Sequence, residues 1–97
     1  MALALLAVVC VGLLPSVAQA ALTDPGQIMN EAYISLVQGD QSLDAARLDE
    51  ALALYVQAQE YYQRLARDFP GFEPRIIQYR KTYCDNQITD INRKLAQ

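Results

Sequence analysis

The sequence predicts an all-α protein, a signal peptide followed by a three-helix antiparallel bundle built as an αα-hairpin plus one helix. Two observations carry that expectation. In this chain of 97 residues no Asp, Glu, Lys or Arg occurs before Asp24, and an apolar run from Leu3 to Leu14 stops at Pro15. Beyond Asp24, apolar residues recur at spacings of three and four, and proline and glycine fall only where they would divide the chain into three helices.

The leader comes first. After Pro15 the chain reads Ser16-Val17-Ala18-Gln19-Ala20, with small side chains at Ala18 and Ala20. An apolar stretch, a helix breaker and an A-x-A site are what signal peptidase reads, so cleavage is expected between Ala20 and Ala21. The expected organisation is a signal peptide over 1–20 and one helical domain over 21–97, exported to a periplasmic or extracellular location. A membrane helix needs about 20 apolar residues, which this run does not reach before its proline. An uncleaved, membrane-tethered form is the alternative. Cys10 leaves with the leader, so Cys84 is the mature chain's lone cysteine, expected as a buried thiol among the apolar positions of the third helix.

The first helix is expected over about 25–38. Asp24 as cap, Pro25 at the first helical position and Gln27 three after the cap form a start signal. Ile28, Met29, Ala32, Tyr33, Leu36 and Val37 follow at helical spacing, and Gly39-Asp40 reads as the stop. The second helix is expected over about 43–68, beginning near Ser42 or Asp44 and ended by Pro70-Gly71. Its apolar seam runs through Leu48, Ala51, Tyr55, Ala58, Tyr62, Leu65 and Phe69, with Glu60 and Arg64 paired four apart on the exposed side. The third is expected over about 74–96, opened by Glu73-Pro74, with Phe72 stapled to Ile77 and Asp90 paired with Lys94. Short connections then fold the three back on one another.

The composition excludes several chemistries. There is no histidine, hence no Cys–His or Ser–His–Asp nucleophile and no His-based metal site. Gly26, Gly39 and Gly71 are scattered as punctuation and form no phosphate loop. Asp85 and Asp90, five apart, fall on different helix faces and read as solvated charge. A net charge of −3 without a basic stripe gives no support for nucleic-acid binding. The expectation is a non-enzymatic chain without cofactor or metal.

Tyrosine is the unusual resource, with six in the chain. Tyr55, Tyr62 and Tyr83 lie on apolar stripes and are expected in the core. Tyr61 flanks the seam, with Tyr33 and Tyr79 in a comparable position. Tyrosines at the edge of a core suit interfaces, because they bury large area and keep a polar tip.

Ala58, Tyr62, Leu65 and Pro70 match the spacing of the second helix of a tetratricopeptide repeat. One period of about 34 residues on, Ile76, Tyr79 and Tyr83 stand where the next repeat's first helix carries large packing residues. The segment from Ala51 to Tyr83 thus resembles a repeat's second helix followed by the next repeat's first. With its Asp68-Phe69-Pro70 stop, it is similar to periplasmic tetratricopeptide-like proteins of envelope assembly. It departs from the pattern at Arg80, where the repeat has glycine or another small residue, and in a second helix about two turns longer. An unrelated three-helix bundle remains the other reading. The resemblance implies a TPR-like protein–protein interaction module, an adaptor or subunit of an envelope assembly whose partner is another protein. It places Ile77, Lys81 and Cys84 or Asp85 on the ligand-facing side of the third helix. With Tyr61, the residues Ile77, Lys81 and Asp85 are the candidate partner contacts. A self-associating protein whose second helix pairs with its copy as a coiled coil is the alternative of a different class.

Overall fold

The computed structural model describes residues 22–97, and the expected leader with its Ala18, Ala20 and Ala21 junction lies outside them. The described chain is three helices with no strand: α1 from Pro25 to Asp44, α2 from Leu48 to Asp68, and α3 from Pro74 to Leu95. The all-α, three-helix bundle expectation holds. The seam of α2 lies against both neighbours, making α2 the middle of the bundle. No described helix is long and apolar enough to cross a membrane.

Local chemistry sets the ends. Asp24 caps α1, its carboxylate accepting from the Gln27 amide at 3.2 Å, with Pro25 at the first helical position. No side chain caps α2; Asp49 and Glu50 in its first turn face the positive end of the helix dipole. Pro74 begins α3, after Glu73 in a left-handed conformation with φ of 44°.

The first connection corrects the sequence reading. Gly39-Asp40 does not end α1, which runs on to Asp44 and takes Ser42 with it, so α2 starts later than expected. The stop is a left-handed cap at Ala46, with φ of 61°. The Ala46 amide donates to the Leu43 carbonyl and the Arg47 amide to the Ser42 carbonyl, both at 2.9 Å. These paired bonds satisfy the free carbonyls of the last turn, a job that glycine usually takes because it has no Cβ to crowd. Here alanine holds it. Gly39 is buried inside the helix instead, and its missing side chain makes room for Tyr55.

The core follows the predicted seam. Ala51, Tyr55, Ala58, Tyr62 and Leu65 of α2 are fully buried, against Ile28, Ala32 and Leu36 of α1 and Ile77, Cys84 and Ile91 of α3. Small and large residues alternate along this seam, Ala51 and Tyr55 being followed by Ala58 and Tyr62. Burial of each large side chain contributes roughly 1.5–3 kcal/mol. Cys84 is buried and unpaired, as expected. Burial raises its thiol to about 11, with the Asp85 and Asp40 charges adding to the rise.

Two expected ion pairs are replaced. Arg64 leaves Glu60 and donates from Nη2 to the Leu22 carbonyl at 2.7 Å, tying the segment before α1 to α2, with Asp68 at 3.9 Å from its Nε. Asp90 meets Arg93 at 3.2 Å in place of Lys94.

Candidate functional site

One carboxylate joins the three helices. Asp40 of α1 accepts at Oδ1 from the Tyr55 hydroxyl of α2 and, at 2.6 Å, from the Tyr83 hydroxyl of α3. Gln87 Nε2 stands 3.4 Å from both hydroxyls, and the two rings meet edge to face at 6.2 Å between centroids. Burial, reinforced by hydrogen bonding to the Asp40 carboxylate, pushes both phenols above their usual value, so they remain donors at neutral pH.

Above this junction α1 and α3 enclose an open groove of about 320 Å³ lined by Tyr33, Leu36, Asp40, Tyr79, Arg80 and Tyr83. Two of its rings face solvent: Tyr33 is 46% exposed and Tyr79 is 73% exposed. Helical spacing explains the grouping, since Tyr33, Leu36 and Asp40 recur at three and four on α1, as Tyr79 and Tyr83 do on α3. Arg80 reaches across from α3, its guanidinium carbon 4.4 Å from the centroid of the Tyr33 ring. No acidic side chain among the described residues lies within 4 Å of it. Beneath it the Tyr62 hydroxyl is buried without a hydrogen-bond partner. Burial raises that phenol, and the Arg80 guanidinium, near enough to act on the hydroxyl as a weak donor as well as a charge, offsets part of the rise.

A larger hollow lies at the other edge of α1, among Gln38, Gln41, Arg47, Glu50 and Leu54. Its Arg47–Glu50 ion pair at 3.6 Å is already closed, and it offers neither aromatic wall nor unpaired charge. Among the described residues, no three His, Cys, Asp or Glu side chains gather where they could hold a metal.

The expected contact residues do not line the groove. Ile77 is 3% exposed and packs into the core, because it lies on the line of α3 that faces α2. Cys84 shares that line. Lys81 and Asp85 pair at 3.1 Å on the opposite flank of α3, where Asp85 also accepts from Gln59 of α2 at 2.6 Å. Tyr61 packs half-buried against the core from α2. The flank of α3 toward α1 carries Tyr79, Arg80 and Tyr83 instead. The sequence had marked Tyr79 and Tyr33 as tyrosines at the core's edge and Arg80 as a departure from a repeat pattern. Asp40 had been read as a turn residue.

The α2 seam is used up inside the chain. Ala51, Tyr55, Ala58, Tyr62 and Leu65 lie fully buried between α1 and α3. No family model, no curated protein and no solved structure matches this chain.

Proposed function

We propose that this chain is a small exported interaction module, acting in the periplasm or outside the cell, whose partner protein sits in the groove between α1 and α3. The observation that carries this reading is the pair of solvent-facing tyrosines, Tyr33 and Tyr79, with Arg80 between them on two helices fixed by a common core. Tyrosine and arginine are enriched where protein interfaces gain most of their affinity. Rings mounted on rigid helices lose little entropy on binding. A TPR-like arrangement is consistent with it, α1 and α3 then being the first helices of successive repeats that face the ligand.

A photo-crosslinking residue placed at Tyr79 in the organism of origin tests the reading. It should yield one discrete protein adduct, while the same probe at Asn86, on the outward polar side of α3, yields none. Equal labelling at both positions, or no adduct at Tyr79, argues against the groove. Intact mass of the native protein reports the address at the same time: a chain beginning at Ala21 supports export, and one retaining residues 1–20 favours the tethered form.

A further inference from the structure

Among the described residues Arg80 is the one cation lining the groove, and no acidic side chain partners it. The chain carries 11 acidic residues against 8 basic ones, so an arginine fixed at a helix junction has many potential carboxylates to pair with. Five of the other seven basic residues find one: Arg47, Arg64, Arg67, Lys81 and Arg93 have an acidic group within 4 Å, and Arg75 and Lys94 do not. Arg80 instead lies over the face of Tyr33. A guanidinium carries five N–H donors, more than its contacts with one ring and one hydroxyl can occupy. Half-buried against aromatic walls, those donors have less water than on an open surface, and a charge-assisted bond formed there is stronger for it.

The surroundings of Arg80 are apolar on either hand. Tyr79 is its neighbour on α3 and is mostly exposed, and Ile76, one turn earlier, is 41% exposed. At the far end of the groove stands Asp40, whose Oδ1 already has two phenol donors. Its negative charge disfavours a second acid there. The groove therefore has a direction, with a cation lacking an acidic partner at one end, an occupied anion at the other and aromatic rings between.

We propose that the groove takes an acidic segment of a partner protein, a carboxylate held by the Arg80 guanidinium and an adjoining apolar side chain laid on Tyr79. This rests on the groove being the interaction surface and adds the chemistry it selects. The ligand is a protein segment and not an anionic membrane: the cation is single, and the chain's net charge of −3 opposes approach to a negative surface.

A random peptide library selected on the native protein, immobilised by a C-terminal tag, decides the matter. Recovered sequences should share Asp or Glu next to an apolar residue. Exchanging that acid for its amide, or Arg80→Gln in the protein, should each weaken binding about tenfold or more, and the two changes together should cost little beyond either alone. Arg80→Lys should restore only part, because an ammonium cannot present a planar pair of donors. A thermal melt of Arg80→Gln close to that of the parent separates this from misfolding; should that variant unfold, the acid-to-amide exchange in the peptide alone carries the test. Binders lost on Tyr79→Ala but indifferent to Arg80→Gln and to the peptide acid would overturn the acidic preference while leaving the groove as the interaction surface. A library that yields no binder, or only binders insensitive to both Tyr79→Ala and Arg80→Gln, sinks both readings.

Discussion

Gly39 and Tyr55 touch so closely that a methyl group on Gly39 would lie 2.9 Å from the Cδ1 and Cε1 atoms of the tyrosine ring. The ring has no room to retreat. It is fully buried, and its hydroxyl is bound to Asp40, the residue next to that same glycine.

Gly39→Ala should therefore destabilise the protein, although alanine is the better helix former by about 1 kcal/mol. Overpacking of this kind costs about 1–3 kcal/mol, and the sign of the net change in urea denaturation decides between the two effects. In Tyr55→Ala background the penalty should vanish and the helix-propensity gain emerge. A stabilised single mutant would show that the ring yields more easily than its anchorage implies.

Ala46→Gly is the opposite exchange and should act in the opposite direction. The left-handed conformation costs a residue with a Cβ about 1–2 kcal/mol, against about 0.4–1 kcal/mol of added freedom in the unfolded chain. A net gain of about 0.5–1 kcal/mol is expected by the same denaturation measurement. A loss would mean that Ala46 is not held at its positive φ in solution.

Leu65→Ala should lower stability by about 2–5 kcal/mol, since Leu65 is fully buried between the helices. Because the α2 seam is closed within one chain, the melting temperature of parent and mutant should not change across a hundredfold range of protein concentration. A midpoint that climbs with concentration would contradict an intramolecular seam.

Alkaline pH should weaken the fold, because the unfolded chain gives up protons that the folded one still holds. The Cys84 thiol rises from 9.0 to about 11 in the folded protein, so between those values the native state holds a proton that the unfolded state has released. Stability is then fully present below pH 9 and falls as pH climbs toward 11. The raised phenols of Tyr55 and Tyr83 extend the loss to higher pH. Cys84→Ala should flatten the first part of this decline, and thiol labelling of the parent should stay slow until the fold opens. An unchanged alkaline slope in that variant would assign the decline to the tyrosines.

The helices were legible because their signals are local. Asp24-Pro25 and Pro74 start α1 and α3 where they were expected, and an uninterrupted seam from Leu48 to Phe69 needs no tertiary information to be recognised. The α1–α2 turn was misplaced because two residues exchange their usual positions, with glycine inside a helix and alanine at the left-handed cap. Only the proximity of Tyr55, which lies on another helix, explains why glycine stands at 39. The groove was half legible. Exposed edge tyrosines can be suspected from their offset to the seam, as Tyr33 and Tyr79 were. Which flank of α3 turns toward α1 depends on how both pack on α2, and that rotation put Arg80 and Tyr83 in the groove and left Lys81 and Asp85 outside it.

The carboxylate shared by three helices also bears on how the molecule opens. Withdrawing α3 removes the Tyr83 donor from Asp40 and uncovers Cys84, Ile77 and Ile91 together, so the α1–α2 hairpin left behind is short of both its polar partner and its apolar cover. Partial opening of that kind gains little over complete unfolding. In native-state hydrogen exchange, the amides around Asp40 and those around Tyr83 are then released in one event, although 43 residues separate them along the chain.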